Sequence, residues 1–142
     1  SSMEVRMLAT VGGHRDPRTF GPQRPGIVIE QFIPQTAVLP HAAAVVSHGG
    51  SGTVLATLGF GLPQLCLPYS ADQPINARAV AGAGAGLALD VAGLNHAAVA
   101  EALTTLLSEP SFTDRARELA AEIAAMPSPD DVATVLSELV VS

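Results

Sequence analysis

Val45-Val46-Ser47-His48-Gly49-Gly50-Ser51-Gly52-Thr53 is the stretch on which the reading of this chain turns. Two β-branched residues give way to a polar pair and then to glycines. A short helical run, Thr53-Val54-Leu55-Ala56-Thr57-Leu58, follows and is closed by Gly59 and Gly61. This is the pattern of a strand that turns sharply into a helix. Glycines let backbone amides come close to a ligand, and a helix start presents unpaired N–H groups with partial positive charge, so the junction suits a phosphate. Ser51 and Thr53 add hydroxyls, and His48 stands at the carboxyl end of the strand, where open α/β sheets take their ligands. Two common motifs fail here. A dinucleotide fingerprint from Gly50 needs glycine at 55 and meets Leu55, and a nucleophile elbow from Gly49 needs glycine at 53 and meets Thr53. The residues alone leave two readings: a ligand turn, or a tight strand-to-helix turn with no ligand.

Outward from this turn the same alternation repeats. Apolar runs at 5–10, 27–31, 44–47, 64–68 and 87–90 read as strands. A helix is expected over 74–81, with Pro74 in its first turn and the glycines of 82–86 ending it. Strand–helix–strand units of this kind build a mostly parallel sheet flanked by helices, a Rossmann-like α/β fold. After residue 95 the pattern is helical only. Asn95 caps 96–108, Ser111 or Thr113 opens 112–125, and Ser128-Pro129-Asp130 opens 130–140. Leu103, Leu106 and Leu107, and then Val132, Val135, Leu136, Leu139 and Val140, form apolar faces expected to pack against the rest of the fold. The segment 12–26, rich in glycine, proline and arginine, is the one long irregular stretch, either a ligand loop or a connection. At 142 residues the chain is expected to be one domain, 1–142.

Composition narrows the function. All seven basic residues are arginine, which excludes a P-loop lysine and Schiff-base chemistry. The net charge of −6 is uneven: the first hundred residues are balanced and the acidity lies beyond residue 100. With no basic run and only 4% aromatic residues, no nucleic-acid partner is expected. The single cysteine, Cys66, sits in an apolar strand and reads as a packing residue of a reducing, cytoplasmic compartment, and no metal site is expected. No apolar stretch approaches the ~20 residues of a membrane helix.

Around the central turn stand Phe32-Ile33-Pro34-Gln35, Gly61-Leu62-Pro63-Gln64, and Asp72-Gln73 followed by Asn76-Ala77. In this order, with His48-Gly49-Gly50-Ser51-Gly52-Thr53 between them, they resemble the donor-binding, C-terminal half of GT-B nucleotide-sugar glycosyltransferases, the group that includes plant secondary-product and bacterial antibiotic enzymes. The resemblance spans roughly residues 5–140. It implies that Phe32 stacks on the nucleobase, with Ile33 and Gln35 offering contacts to base and ribose. It implies that His48 hydrogen-bonds the diphosphate, that the amides of Gly50, Ser51, Gly52 and Thr53 cradle its oxygens, and that Asp72 and Gln73 bind sugar hydroxyls. Judged by itself, Phe32 is as readily a core residue as a stacker, and Asp72 also suits a turn before Pro74. Gln64 and Asn76 read as structural, and His14, His41 and His96 as exposed or capping residues.

The resemblance further implies an inverting, metal-independent transfer from a dTDP- or UDP-sugar to a small natural-product acceptor, with no cofactor. Leaving-group stabilisation by His48 is the one catalytic contribution expected of this chain. The general base and the acceptor site are expected on an N-terminal domain, so that this chain, read as a fragment, binds donor without transferring sugar. Where many relatives carry a ribose-binding glutamate, eight residues after His48, this chain has Ala56. That departure implies a deoxyribose donor. Two rival functions remain at this point: half of a nucleotide-sugar epimerase, and a non-enzymatic nucleotide-binding or accessory domain.

Overall fold

The computed structural model describes residues 4–141. The chain divides into two compact units, a first up to Ala42 and a second from Ala43 onward. In the first unit β1 (Met7–Thr10) pairs in parallel with β2 (Ile27–Glu30), from Met7 opposite Ile27 to Thr10 opposite Glu30. The irregular segment between them contains a 3-10 turn, Pro17–Phe20. It is opened by Asp16, whose carboxylate accepts the Arg18 N–H at 2.9 Å and pairs with the Arg18 guanidinium at 2.7 Å. A four-residue helix, α1 (Gln35–Val38), follows β2 and was not legible in the sequence.

The second unit is a three-stranded parallel ladder, β3 (Val45–Ser47), β4 (Gln64–Cys66) and β5 (Gly86–Ala88), with β4 in the middle. The crossovers are α2 (Ser51–Gly59) and α3 (Gln73–Gly82), and the chain ends in α4 (His96–Ser108), α5 (Pro110–Ala124) and α6 (Pro129–Val141). The five expected strands are present and parallel, as two ladders of two and three strands.

Alternation along β4 sends its side chains to two layers. Cys66 packs with Val54 of α2 and with Ala77 and Val80 of α3, while Leu65 packs on the other side with Ala102 and Leu106 of α4. Cys66 is therefore a core residue, and burial pushes its thiol pKa up, away from the reactive thiolate. Gln64 is also fully buried, and its amide reaches the Val54 carbonyl at 3.4 Å, tying α2 to the central strand. The face of α4 is Val99, Ala102, Leu103 and Leu106 at helical spacing. Leu107, expected on that face, lies one step around the helix and is exposed.

Thr57 of α2 is completely buried, and its hydroxyl oxygen has no partner among the described residues. Thr57→Val keeps the β-branch and removes a desolvated polar atom, so urea unfolding is expected to show a gain of about 1 kcal/mol. A loss of similar size would mean that the hydroxyl is bonded after all.

One helix start differs from the sequence reading and another agrees with it, Ser128 opening the last helix as expected. α5 opens at Pro110 without a side-chain cap, because the fixed φ of proline suits a first turn; neither Ser111 nor Thr113 serves as its cap. α6 opens on a capping box in which the Asp131 N–H donates to Ser128 Oγ at 3.1 Å while the Ser128 N–H and hydroxyl donate to the Asp131 carboxylate at 2.9 and 2.7 Å. The apolar face of α6 does not pack as expected. Val132, Val135, Leu136, Leu139 and Val140 are all exposed. Amphipathic spacing selects the apolar side of a helix and cannot specify that a neighbour covers it.

The Ser128 side chain, followed by its backbone N–H, holds the Asp131 carboxyl below the usual carboxylate range. A depressed folded-state pKa contributes stability that is present above the unfolded value and is lost as pH falls through the folded one. Acidification below about pH 4 is therefore expected to loosen the start of α6. In an NMR titration Asp131 should show a low midpoint that Ser128→Ala returns to normal; an unchanged midpoint in that variant would refute the capping role.

Candidate functional site

The site of the second unit is built where β3 ends. His48 leaves the strand, and Gly49 takes φ +82°, a conformation that suits only glycine without strain. Space adds no such demand at this position, where a Cβ would meet only ordinary van der Waals contacts. A Cβ on Gly49 would lie 3.4 Å from the Gln73 carbonyl oxygen and 3.6 Å from Cβ of Cys66, so the turn is seated on the central strand and on the start of α3. The Gly49 N–H donates to Ser47 Oγ at 3.1 Å, and its carbonyl accepts from Asn76 Nδ2 at 3.0 Å.

Gly50 is the N-cap of α2, in extended conformation and with no side-chain cap. The first intrahelical bond runs from the Val54 N–H to the Gly50 carbonyl at 3.0 Å. Ser51 and Gly52, ahead of that bond, are exposed, so the positive end of α2 opens to solvent, and Thr53 behind them is half-buried. The exposed His48 ring lies back over Gly50. A Cβ there would come 2.5 Å from His48 Nε2 and 3.3 Å from Cε1. The absence of a side chain at 50 is what permits the imidazole to sit beside the helix start.

The loop after β4 supplies the facing groups. Ala71 is the one non-glycine residue with positive φ among the described residues, at +55°. The loop around it is held by Gln73, whose side-chain oxygen accepts the N–H groups of Tyr69 and Ser70 at 3.1 and 3.2 Å. Gln73 is buried, and with its oxygen committed to the loop only its amide nitrogen is left to meet a ligand. Asp72 stands at the N-cap position of α3 without capping it. Its carboxylate is exposed and accepts instead from Asn76 Nδ2 at 2.8 Å.

His48, Gly50, Ser51, Gly52 and Thr53 thus share one turn, and Asn76 joins that turn to Asp72. In the first unit Phe32 is 75% exposed and so is not a core residue. Ile33 is half-buried, and Gln35 is exposed at the start of α1. The sequence does not single out Ser47, and Asn76 reads there as merely structural. The spacing of four from Asp72 on a helix was a usable signal for one of the Asn76 bonds. No sequence signal pointed to the other, to a glycine 27 positions away. Among the described residues no group of three or more His, Cys, Asp or Glu side chains is placed to hold a metal ion. Among the described residues no helix is long and apolar enough to cross a membrane.

A parallel α/β unit with an open helix N-terminus beside a histidine is the architecture of one half of a GT-B fold, and solved structures agree. The chain superposes on the spinosyn forosaminyltransferase SpnP with a TM-score of 0.87 and 30% identity, over 99% of this chain and 36% of that one. It superposes on the glycosyltransferase VinC in complex with dTDP with a TM-score of 0.84 and 31% identity, over 97% of this chain and 34% of that one. Residues 14–139 match the family model described as "Erythromycin biosynthesis protein CIII-like, C-terminal domain", and the chain belongs to that family. It is 47% identical over 133 residues to the elloramycin glycosyltransferase ElmGT of Streptomyces olivaceus, a match that covers 94% of this chain and 33% of that protein. The chain spans about a quarter to a third of the length of the curated relatives it matches.

Proposed function

We propose that this chain is the donor-binding part of a cytoplasmic, inverting glycosyltransferase that moves a sugar from a nucleoside diphosphate to a hydroxyl of a small natural-product acceptor. The observation that carries the reading is the open start of α2, with the His48 ring laid against Gly50 and the Asp72 carboxylate tied to the same turn through Asn76. In such a transfer the acceptor oxygen bonds to the anomeric carbon while the bond from that carbon to the diphosphate oxygen breaks, and negative charge grows on the departing diphosphate. Amides at 50–53, the Ser51 and Thr53 hydroxyls and His48 meet that charge without lysine or metal. Asp72 accepts hydrogen bonds from sugar hydroxyls, and the Gln73 amide nitrogen adds a donor. The acceptor's proton goes to a base outside this chain, none of whose residues is assigned that role.

The nucleotide preference we infer is for thymidine diphosphate. Ala56, half-buried on α2, offers no carboxylate to a ribose 2′-hydroxyl, and among the similar structures VinC and SsfS6 are described as complexes with thymidine diphosphate. Calorimetric titration should show dTDP binding at least as tightly as UDP. Clearly tighter UDP would sink the deoxyribose preference, and binding of neither would sink the donor-site reading.

In the first unit Phe32 is read as the base-stacking ring, a role its exposure favours. With one ring face in contact, Phe32→Ala is expected to weaken dTDP binding by about 1 kcal/mol, roughly fivefold. Equal losses of dTDP and of inorganic diphosphate would argue against stacking.

A further inference from the structure

Resting on the donor-site reading above, we propose that Asn76 is a positioning residue: its side-chain amide sets the direction of the Gly50 N–H and the orientation of the Asp72 carboxylate together, holding the diphosphate and sugar ends of the site in register.

The amide orientation is fixed by chemistry. Both neighbours, the Gly49 carbonyl at 3.0 Å and Asp72 Oδ2 at 2.8 Å, are acceptors with no hydrogen to give, so the nitrogen faces both and each of its hydrogens is engaged. The first bond acts through the peptide plane. The 49–50 peptide is trans, so its carbonyl and the Gly50 N–H point in opposite directions, and anchoring the carbonyl toward α3 turns the N–H away from it. Among the described residues nothing accepts from that N–H, which leaves it for a ligand. Two consecutive glycines resist a peptide rotation weakly, so the plane needs an external anchor. The second bond limits rotation of the Asp72 side chain and occupies one carboxylate oxygen. Asn76 itself, on α3, has both amide hydrogens committed to these two groups and none left to give a ligand.

The test uses calorimetry with dTDP and dTDP-glucose, and thermal unfolding alongside. Asn76→Ala is expected to weaken dTDP binding about threefold to tenfold, the range for one lost hydrogen bond. Asn76→Asp, the same shape with an acceptor facing two acceptors, should lose at least as much and serves if the alanine variant does not fold. Arg115→Ala is the structural control. It removes a 2.9 Å bond to the Ala83 carbonyl at the far end of the same helix, and it should lower the melting temperature while leaving dTDP affinity within twofold of wild type.

With dTDP-glucose, Asn76→Ala and Asp72→Ala combined should lose less than the product of the two single losses. Wild-type affinity in both Asn76 variants, a loss in Arg115→Ala as large as in Asn76→Ala, or multiplicative losses in the double variant would each overturn the proposal while leaving the donor site intact. A wild-type chain that binds no nucleotide would overturn the donor site, and the role of Asn76 with it.

Discussion

Gly86→Ala is expected to destabilise the chain by about 3 kcal/mol or more, a drop of roughly 10 °C in melting temperature. Gly86 opens β5 and is buried against the central strand. A Cβ built there runs into the Gln64 carbonyl oxygen, and also comes within 2.8 Å of Cγ1 of Val80. The first obstacle is backbone, in the strand at the middle of the ladder, so no rotamer change relieves it. Either β5 separates from β4, losing its register from Gln64 opposite Gly86 to Cys66 opposite Ala88, or β4 shifts and disturbs the packing of Leu65 and Cys66 on its two faces. Gly82→Ala, in the same crossover but with nothing within 4 Å, is the control and should be neutral or slightly stabilising. Urea unfolding checks both. A Gly86→Ala chain within 1 kcal/mol of wild type would mean that the strand adapts more freely than a close-packed ladder allows.

The second large effect is on binding. His48→Ala should weaken dTDP about 10- to 100-fold, because a hydrogen bond to a charged phosphate contributes roughly 1.5–3 kcal/mol. Gly50→Ala should reproduce much of that loss by a different route. Its methyl group would occupy the space of Nε2, and since the obstacle is the far end of a side chain, the ring swings away at little cost in stability. The two variants are then told apart from general damage by melting temperatures close to wild type. Unchanged dTDP affinity in His48→Ala would remove the imidazole from the site. A weak His48→Ala beside a wild-type-like Gly50→Ala would mean that the ring need not lie over the turn.

The strand–turn–helix at 45–53 was legible because each step is a local preference: β-branched residues extend, glycine at 49 takes positive φ, and an uncapped start leaves amides exposed. α3 was legible for the same reason, from Pro74 to its closing glycines. Gln73 was harder. The motif marks it as a sugar ligand, and the fold commits its oxygen to the N–H groups of Tyr69 and Ser70, a contact that depends on how the loop before it is bent.

By itself, then, the sequence determined the parallel α/β pattern, the helix start that suits a diphosphate, the absence of a lysine-based phosphate site and the acidity confined to the last helices. These follow from neighbouring residues and from composition, and no distant contact is needed to read them. Only the tertiary structure decided that the His48 ring lies over Gly50, that Asn76 ties Asp72 to a carbonyl 27 residues earlier, that Phe32 is exposed and that the apolar face of α6 is uncovered. The Asn76 tie and the two exposures are set by which elements pack side by side, and the ring position by how the folded turn directs a side chain two residues away; residue spacing along one element holds no record of either.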